Sequence, residues 1–288
     1  MVNRIWQHHF GAGIVKTLGN FGKVGAPPSH PELLDWLSTE FVQQGWSVKS
    51  MHRLMMNSST YRQSSALTPA IEKADPNNRL LSRMPMKRME AEVLYDTMLL
   101  ISNKLDESRF GQPEPVVIRD DGLVTPVGTE KGWHRGIYVE QLRTKLPTVM
   151  ESFDLPAMSP NCVERSISMI APQALHMMND GMIARLAGSF AERVHKEAGP
   201  DPEKEIERAY WIAVSRPPNT EERKVSLDIV RRIRDAETTK AMAGEASTVA
   251  GKPAPPAATN AGVDDPAAMA LEEFCHTLMN SAAFMYID

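Results

Sequence analysis

The sequence predicts a mainly α protein, a multi-helix globular domain that carries a small antiparallel β insertion at about residues 110–165. Three observations predict it. Apolar side chains recur at helical spacing along most of the chain. Ser, Asp or Asn stand where those stretches begin. Only the middle third departs from this pattern, with clustered β-branched residues around an Asp-Gly step.

In chain order, Ile5, Trp6, His9 and Phe10 fall on one side of an opening helix. That helix starts so abruptly that the chain is expected to be a piece of something longer. Ser29-His-Pro-Glu32 has the SxxE form of a capping box, and Leu33, Leu34, Leu37 and Phe41 follow in helical step until Gly45 supplies a C-cap. Ser47 is placed to cap a second helix with Val48, Met51, Leu54 and Met55. A third runs from about Met86 to Asn103, with Met89, Val93, Leu100 and Ile101 on one face and Leu94, Met98 and Leu99 widening it. Val116 to Ile118, Asp121-Gly122 and Leu123-Val124 then read as a hairpin, because Asp-Gly tolerates the positive φ of a tight turn. Gly136 to Leu142 alternates like a half-exposed strand.

Helices are expected to resume at Ala174. Asp180 caps a run of Met182, Ile183, Leu186, Phe190 and Val194 that closes at Gly199. Ile206, Ala209, Tyr210 and Ala213 form the next, stopped by Pro217-Pro218. Asn219 with Glu222 opens another, to about Ala236, with Val225, Ile229, Val230 and Ile233 inward. The expected organisation is a helical domain over 1–236, a flexible Ala/Gly/Pro-rich linker over 237–266, and a C-terminal helix over 267–288. The stripe of Leu271, Phe274, Cys275, Leu278 and Met279 should fold that last helix back onto the main domain.

At 42% apolar and 24% charged residues the chain has the balance of a globular protein. A net charge of −4 offers no basic field, which argues against nucleic acid as a partner. No run reaches the ~18–20 apolar residues of a membrane span, and the first residues lack the pattern of a signal peptide. The two cysteines, Cys162 and Cys275, form no CxxC or CxxCH motif, so neither a zinc ribbon nor covalent haem c is expected in this chain. They read either as small buried hydrophobes or as a long-range disulfide formed in an oxidising compartment.

Motifs for chemistry are sparse. His8 and His9 are adjacent and point about 100° apart on a helix, so they cannot share a metal in the manner of a His pair four apart. Either is a core-edge histidine or an axial haem ligand offered to a separate cytochrome. Asp154, with Glu151 nearby, is the candidate carboxylate for acid–base work, against a plain turn-forming Asp before Pro156. Arg143, Lys145, Arg165 and Gln173 are candidates for a polar groove beside the β insertion, or for a buried arginine–carboxylate pair that holds it. Ser166 and Ser168 lack a nucleophile elbow, and no phosphate-cradling glycine loop occurs. The residues assign no metal ligand and no cofactor.

Several ordered segments carry a resemblance. VNRIWQHHFGAGIVKT, PPSHPELLDWLSTEF, GWSVKSMHRLMMNSSTYRQSS, NRLLSRMPMKRMEAEVLYDTML, LRTKLPTVMESFDLP and NCVERSISMIAPQALHMMND together resemble the planctomycete C-terminal domain of unknown function 1553. AYWIAVSRPPNTEER and LEEFCHTLMNSAAFMYID resemble its closing segments. The resemblance implies an exported protein, periplasmic or at the cell surface, in which haem c is carried only by an upstream segment absent here. It implies upstream domains or a cytochrome as partners, and a chain that begins inside the family domain. It supplies no catalytic residues. Two functions remain open: a non-catalytic accessory or interaction domain of a cytochrome c-linked protein, and an extracytoplasmic enzyme domain acting on polysaccharide or another polymer, with Asp154, Arg143 and Arg165 near its centre. Beside these stands a truncated product with no independent role.

Overall fold

The structure, a computed structural model, describes residues 1–143, 145–156, 162, 165, 167–245 and 265–287, with backbone alone at 240–245. In chain order these form α1 (Val2–Phe10), α2 (Pro31–Gln43), α3 (Val48–Met56), α4 (Pro69–Ala74), β1 (Lys87–Arg88), α5 (Ala91–Ile101), β2 (Leu105–Asp106), β3 (Val116–Ile118), β4 (Val124–Pro126), β5 (Trp133–His134), a 3₁₀ turn (Gly136–Tyr138), α6 (Thr148–Ser152), α7 (Ala171–Asn179), α8 (Gly181–Ala198), α9 (Pro202–Val214), α10 (Thr220–Glu245), α11 (Pro266–Met279), α12 (Ala282–Met285) and β6 (Tyr286–Ile287). The protein is mainly α, and its strands among the described residues pair only two by two. It divides into two compact units: 1–88 with 157–166 and 286–288, and 89–156 with 167–285.

The first unit is built on α1, α2 and α3. Their buried faces supply Val2, Ile5, Trp6, Phe10, Leu37, Phe41, Met51 and Met55, with Ile14 from the loop after α1. Trp6 and Phe10 stack at 4.0 Å between ring centroids. Buried Asn3 replaces missing backbone partners in that loop: its amide donates to the Val15 carbonyl (3.0 Å) and accepts from the Val15 N–H (2.9 Å). The expected capping box at Ser29 does not form. Helix α2 starts one residue later, with His30 as N-cap and Pro31 in the first turn, while the Ser29 hydroxyl donates to the Ile14 carbonyl instead. Its far end closes as a Schellman motif: Gly45 takes φ 66°, the Trp46 N–H reaches the Phe41 carbonyl and the Gly45 N–H the Val42 carbonyl. The Trp46 ring lies edge-on against Phe41, the hydrophobic contact that accompanies this cap. Ser47 caps α3 through the Ser50 N–H. β1 pairs antiparallel with β6.

The second unit holds the larger core. Helix α8 buries Met182, Ile183, Leu186, Phe190 and Val194 in step and begins where Asp180 accepts the Met182 and Ile183 N–H groups. Helix α11 lays Leu271, Phe274, Cys275, Leu278 and Met279 against α8 and α10. Each such side chain stabilises the fold by ~1.5–3 kcal/mol before entropy is counted. His276 adds a polar tie by donating from Nε2 to the Met177 carbonyl at 2.7 Å. Asn219 and Glu222 exchange side chain-to-backbone hydrogen bonds, both 2.8 Å, as a reciprocal capping box at the start of α10.

Several elements differ from the sequence expectation. Helix α5 begins at Ala91 and buries Leu94, Tyr95, Met98 and Leu99, whereas Val93 and Leu100 face solvent. Two apolar stripes compete on that helix, and the one carrying Tyr95 faces the core. Val225 on α10 is likewise exposed, with Ser226 buried in its stead. Gly136–Leu142 is not a strand. The Tyr138 N–H turns back to the Arg135 carbonyl, so residues 136–138 form a 3₁₀ turn, Val139 bridges to Glu114 and Leu142 to Lys145. The Asp-Gly hairpin does form: β3 and β4 pair antiparallel, with Gly122 at φ 89°. A second pair, β2 with β5, is parallel. Helix α7 starts at Ala171 rather than Ala174, and α10 continues to Glu245 rather than ending near Ala236. The remainder of the expected linker, 246–264, lies outside the described residues. Cys162 is exposed and Cys275 fully buried, so only the second behaves as a core hydrophobe, its thiol pKa raised by that burial.

Candidate functional site

Asp154 follows α6 with φ 67°, a left-handed conformation that a turn-forming Asp tolerates. Its carboxylate accepts from the Ser168 N–H (2.8 Å) and the Ser168 hydroxyl (2.7 Å). Gln173 extends the connection: its amide donates to the carbonyl and hydroxyl oxygens of Ser168 (3.2 and 3.1 Å) and accepts from the Ile170 N–H (3.4 Å). Asp154, Ser168 and Gln173 therefore act as one brace that sets the entry to α7. Both oxygens of Asp154 are engaged at Ser168, and Glu151 points to solvent. Arg143 is exposed in the turn spanned by the Leu142–Lys145 bridge. Arg165 is half-buried and belongs to the first unit. Ser166 lies outside the described residues.

The β excursion brings together a group of ionisable residues that no spacing in the sequence announces. Glu114, 3% exposed, accepts the Gly128 N–H on Oε1 (2.8 Å) and the His134 N–H on Oε2 (2.7 Å). The His134 ring lies between two carboxylates, with Nδ1 3.3 Å from Glu114 and Nε2 3.9 Å from Asp106. Asp106 accepts from the Ser108 N–H and the Thr129 hydroxyl, both at 2.9 Å. Those bonds, the ones to Ser108 foremost, hold its pKa down at about 2. Asp96 accepts the Gly136 N–H at 2.7 Å, yet burial pushes its pKa up. Burial also raises that of Tyr95, whose hydroxyl is enclosed with no hydrogen-bond partner among the described residues. The backbone amides of Gly128, His134, Ser108 and Gly136 thus end on three carboxylates. This is the chemistry of a clasp for a segment with little regular structure. Among the described residues no three His, Cys, Asp or Glu are grouped so as to hold a metal ion.

In the first unit the adjacent histidines separate in role. His8 is exposed, whereas His9 turns inward so that its Nε2 lies 2.7 Å from Nδ1 of His52 on α3. One of these nitrogens carries the shared proton and donates it to the other. Tyr61 stands edge-on to His9, with centroids 5.4 Å apart. Lys87 reaches the end of α1, where Nζ donates to the His8 carbonyl at 2.6 Å. Burial, then the neighbouring His52, Lys87 and His8, lower the pKa of His9. His8, His9, Tyr61, Arg62 and Lys87 open onto one cleft of about 460 Å³. The sequence singled out His9 but had no means of pairing it with His52, 43 residues on.

No curated protein and no solved structure matches the chain. A family model described as PSD1, protein of unknown function (DUF1553), matches residues 1–230. With four-fifths of its length inside that match, the chain belongs to the DUF1553 family.

Proposed function

We propose that this chain is an accessory or interaction domain, non-catalytic by itself, which docks another domain on the face formed around α7. The supporting observation is the distribution of apolar side chains there. Helix α7 buries Gln173 and Met177, while Leu175 and Met178, with Ile167, Met169 and Ile170 just before the helix, are each more than half exposed. Five large apolar residues outward within twelve positions is a pattern that marks interaction surfaces. The engagement of Asp154 in bracing Ser168 weighs against the alternative of a polysaccharide-cleaving enzyme centred on Asp154, Arg143 and Arg165. By its family resemblance the proposed setting is an exported planctomycete protein, periplasmic or at the cell surface, whose upstream part carries haem c and supplies the docking partner.

The test is calorimetric titration of the purified chain with the cytochrome c-type segment of its parent protein. Because both changes are on exposed positions, Met169→Glu with Met178→Glu should leave unfolding free energy within about 0.5 kcal/mol and abolish binding. Equal binding by the double variant removes α7 from the interface. Glycan hydrolysis that disappears in Asp154→Ala would favour the enzyme instead.

A further inference from the structure

The cleft beside His9 has a composition that selects a ligand class. His8, His9, Arg62 and Lys87 give it four basic side chains, and none of its described lining residues is a carboxylate. Met84, Pro85 and Ile287 supply an apolar wall, and Tyr61 joins the two sides. We propose that this cleft binds a small organic oxyanion, a carboxylate or phosphate monoester, with its acid group toward His9 and Arg62 and its carbon body against Met84, Pro85 and Ile287.

The His9–His52 contact supports this choice. Two imidazole nitrogens 2.7 Å apart hold one proton between them, and a second proton there would face repulsion from its neighbour. Among the described residues, the charged or titratable groups that line the cleft around the pair are His8 from α1, Tyr61 and Arg62 from the segment after α3, and Lys87 from β1. None of these is a carboxylate, so Arg62 and the imidazoles suit an oxyanion better than a metal cation. An oxyanion would offset the second proton and let both imidazoles donate. Binding should therefore be accompanied by proton uptake and weaken as pH rises. The reading is independent of the face around α7, since the cleft lies wholly within the first unit.

Benzoate, phenyl phosphate and inorganic phosphate, titrated calorimetrically into the chain at pH 6.0 and 8.0 and constant ionic strength, test the proposal. Either organic probe should saturate one site at pH 6.0, and binding should weaken roughly tenfold at pH 8.0, as loss of a charge-assisted hydrogen bond implies. Inorganic phosphate, which lacks a carbon body, should bind more weakly. The substitutions Arg62→Gln and His8→Gln fall on exposed positions and leave the core intact. Arg62→Gln should cost most of the affinity and His8→Gln a smaller part. Failure of both organic probes to saturate at pH 6.0, or affinity unchanged in Arg62→Gln, overturns the site. Inorganic phosphate binding as tightly as phenyl phosphate overturns the organic ligand. The His9 ring resonance, followed by NMR against pH, needs no variant: the probe should move its midpoint upward, and an unmoved midpoint refutes the role of His9.

Discussion

In the unit that holds α5, α8 and α11, the carboxylates of Glu114, Asp106 and Asp96 face donors from their own surroundings: amides of Gly128, His134, Ser108 and Gly136, and the Thr129 hydroxyl. In the unit that holds α1, α2 and α3, half-buried His9 faces another imidazole, and further basic side chains open onto the same cleft. The difference teaches how to read polar residues in a protein without a catalytic motif. Groups whose hydrogen bonds are completed within the chain hold the fold together. Groups of like charge that gather at a cleft favour a ligand of the opposite charge there. Asp75 shows that the first unit also uses the scaffold device, since its oxygens take the Arg79 and Leu80 N–H groups and the Ser82 hydroxyl.

The contrast can be broken in order of effect. Phe190→Ala, at a fully buried position of the larger core, should cost about 3–5 kcal/mol in urea unfolding. A loss under about 1 kcal/mol would mean that the second unit is not rigidly packed. Glu114→Ala should cost about 2–4 kcal/mol, because two part-buried amides lose their acceptor together, and Glu114→Gln should cost less because one acceptor oxygen remains. A neutral Glu114→Ala would dissolve the distinction between clasp and site.

The smallest effects are in acid. His9 holds its proton less tightly folded than unfolded. The unfolded chain therefore binds more protons just below the ordinary value of 6.5, and stability should start to fall as pH drops through that value. Asp106 is lowered from 3.8 to about 2, so its contribution is complete above the former and lost as pH falls toward the latter. Thermal unfolding against pH should thus show two descending steps. His9→Gln should shrink the first, to which His176, also lowered by burial, contributes, and Asp106→Asn the second, which Asp75, Glu197 and Glu222 share; a first step of unchanged size in His9→Gln assigns it to another group.

Much of the architecture was legible because its signals are local. Asp180, Ser47 and the Asn219–Glu222 pair cap helices where their spacing says they should, and Gly122 turns the hairpin. The stripes of α8 and α11 are buried as their periodicity requires. The site was far less legible. Asp154 stood out as a lone acid before a proline, but its role as a brace depends on Ser168 and Gln173, which only folding brings to it. Glu114, Asp106 and His134 carried no motif at all, and His52 looked like any isolated histidine.

By itself the sequence determined where α3, α8 and α10 begin and which residues turn the β3–β4 hairpin, since capping and turn contacts are made between near neighbours. Tertiary structure decided the rest. It chose which of two apolar stripes on α5 faces inward, leaving Val93 and Leu100 in water. It made a 3₁₀ turn of Gly136–Tyr138 and set His9 against His52. Those outcomes depend on partners distant in sequence, and side-chain packing selects among locally comparable alternatives that no window of residues can distinguish.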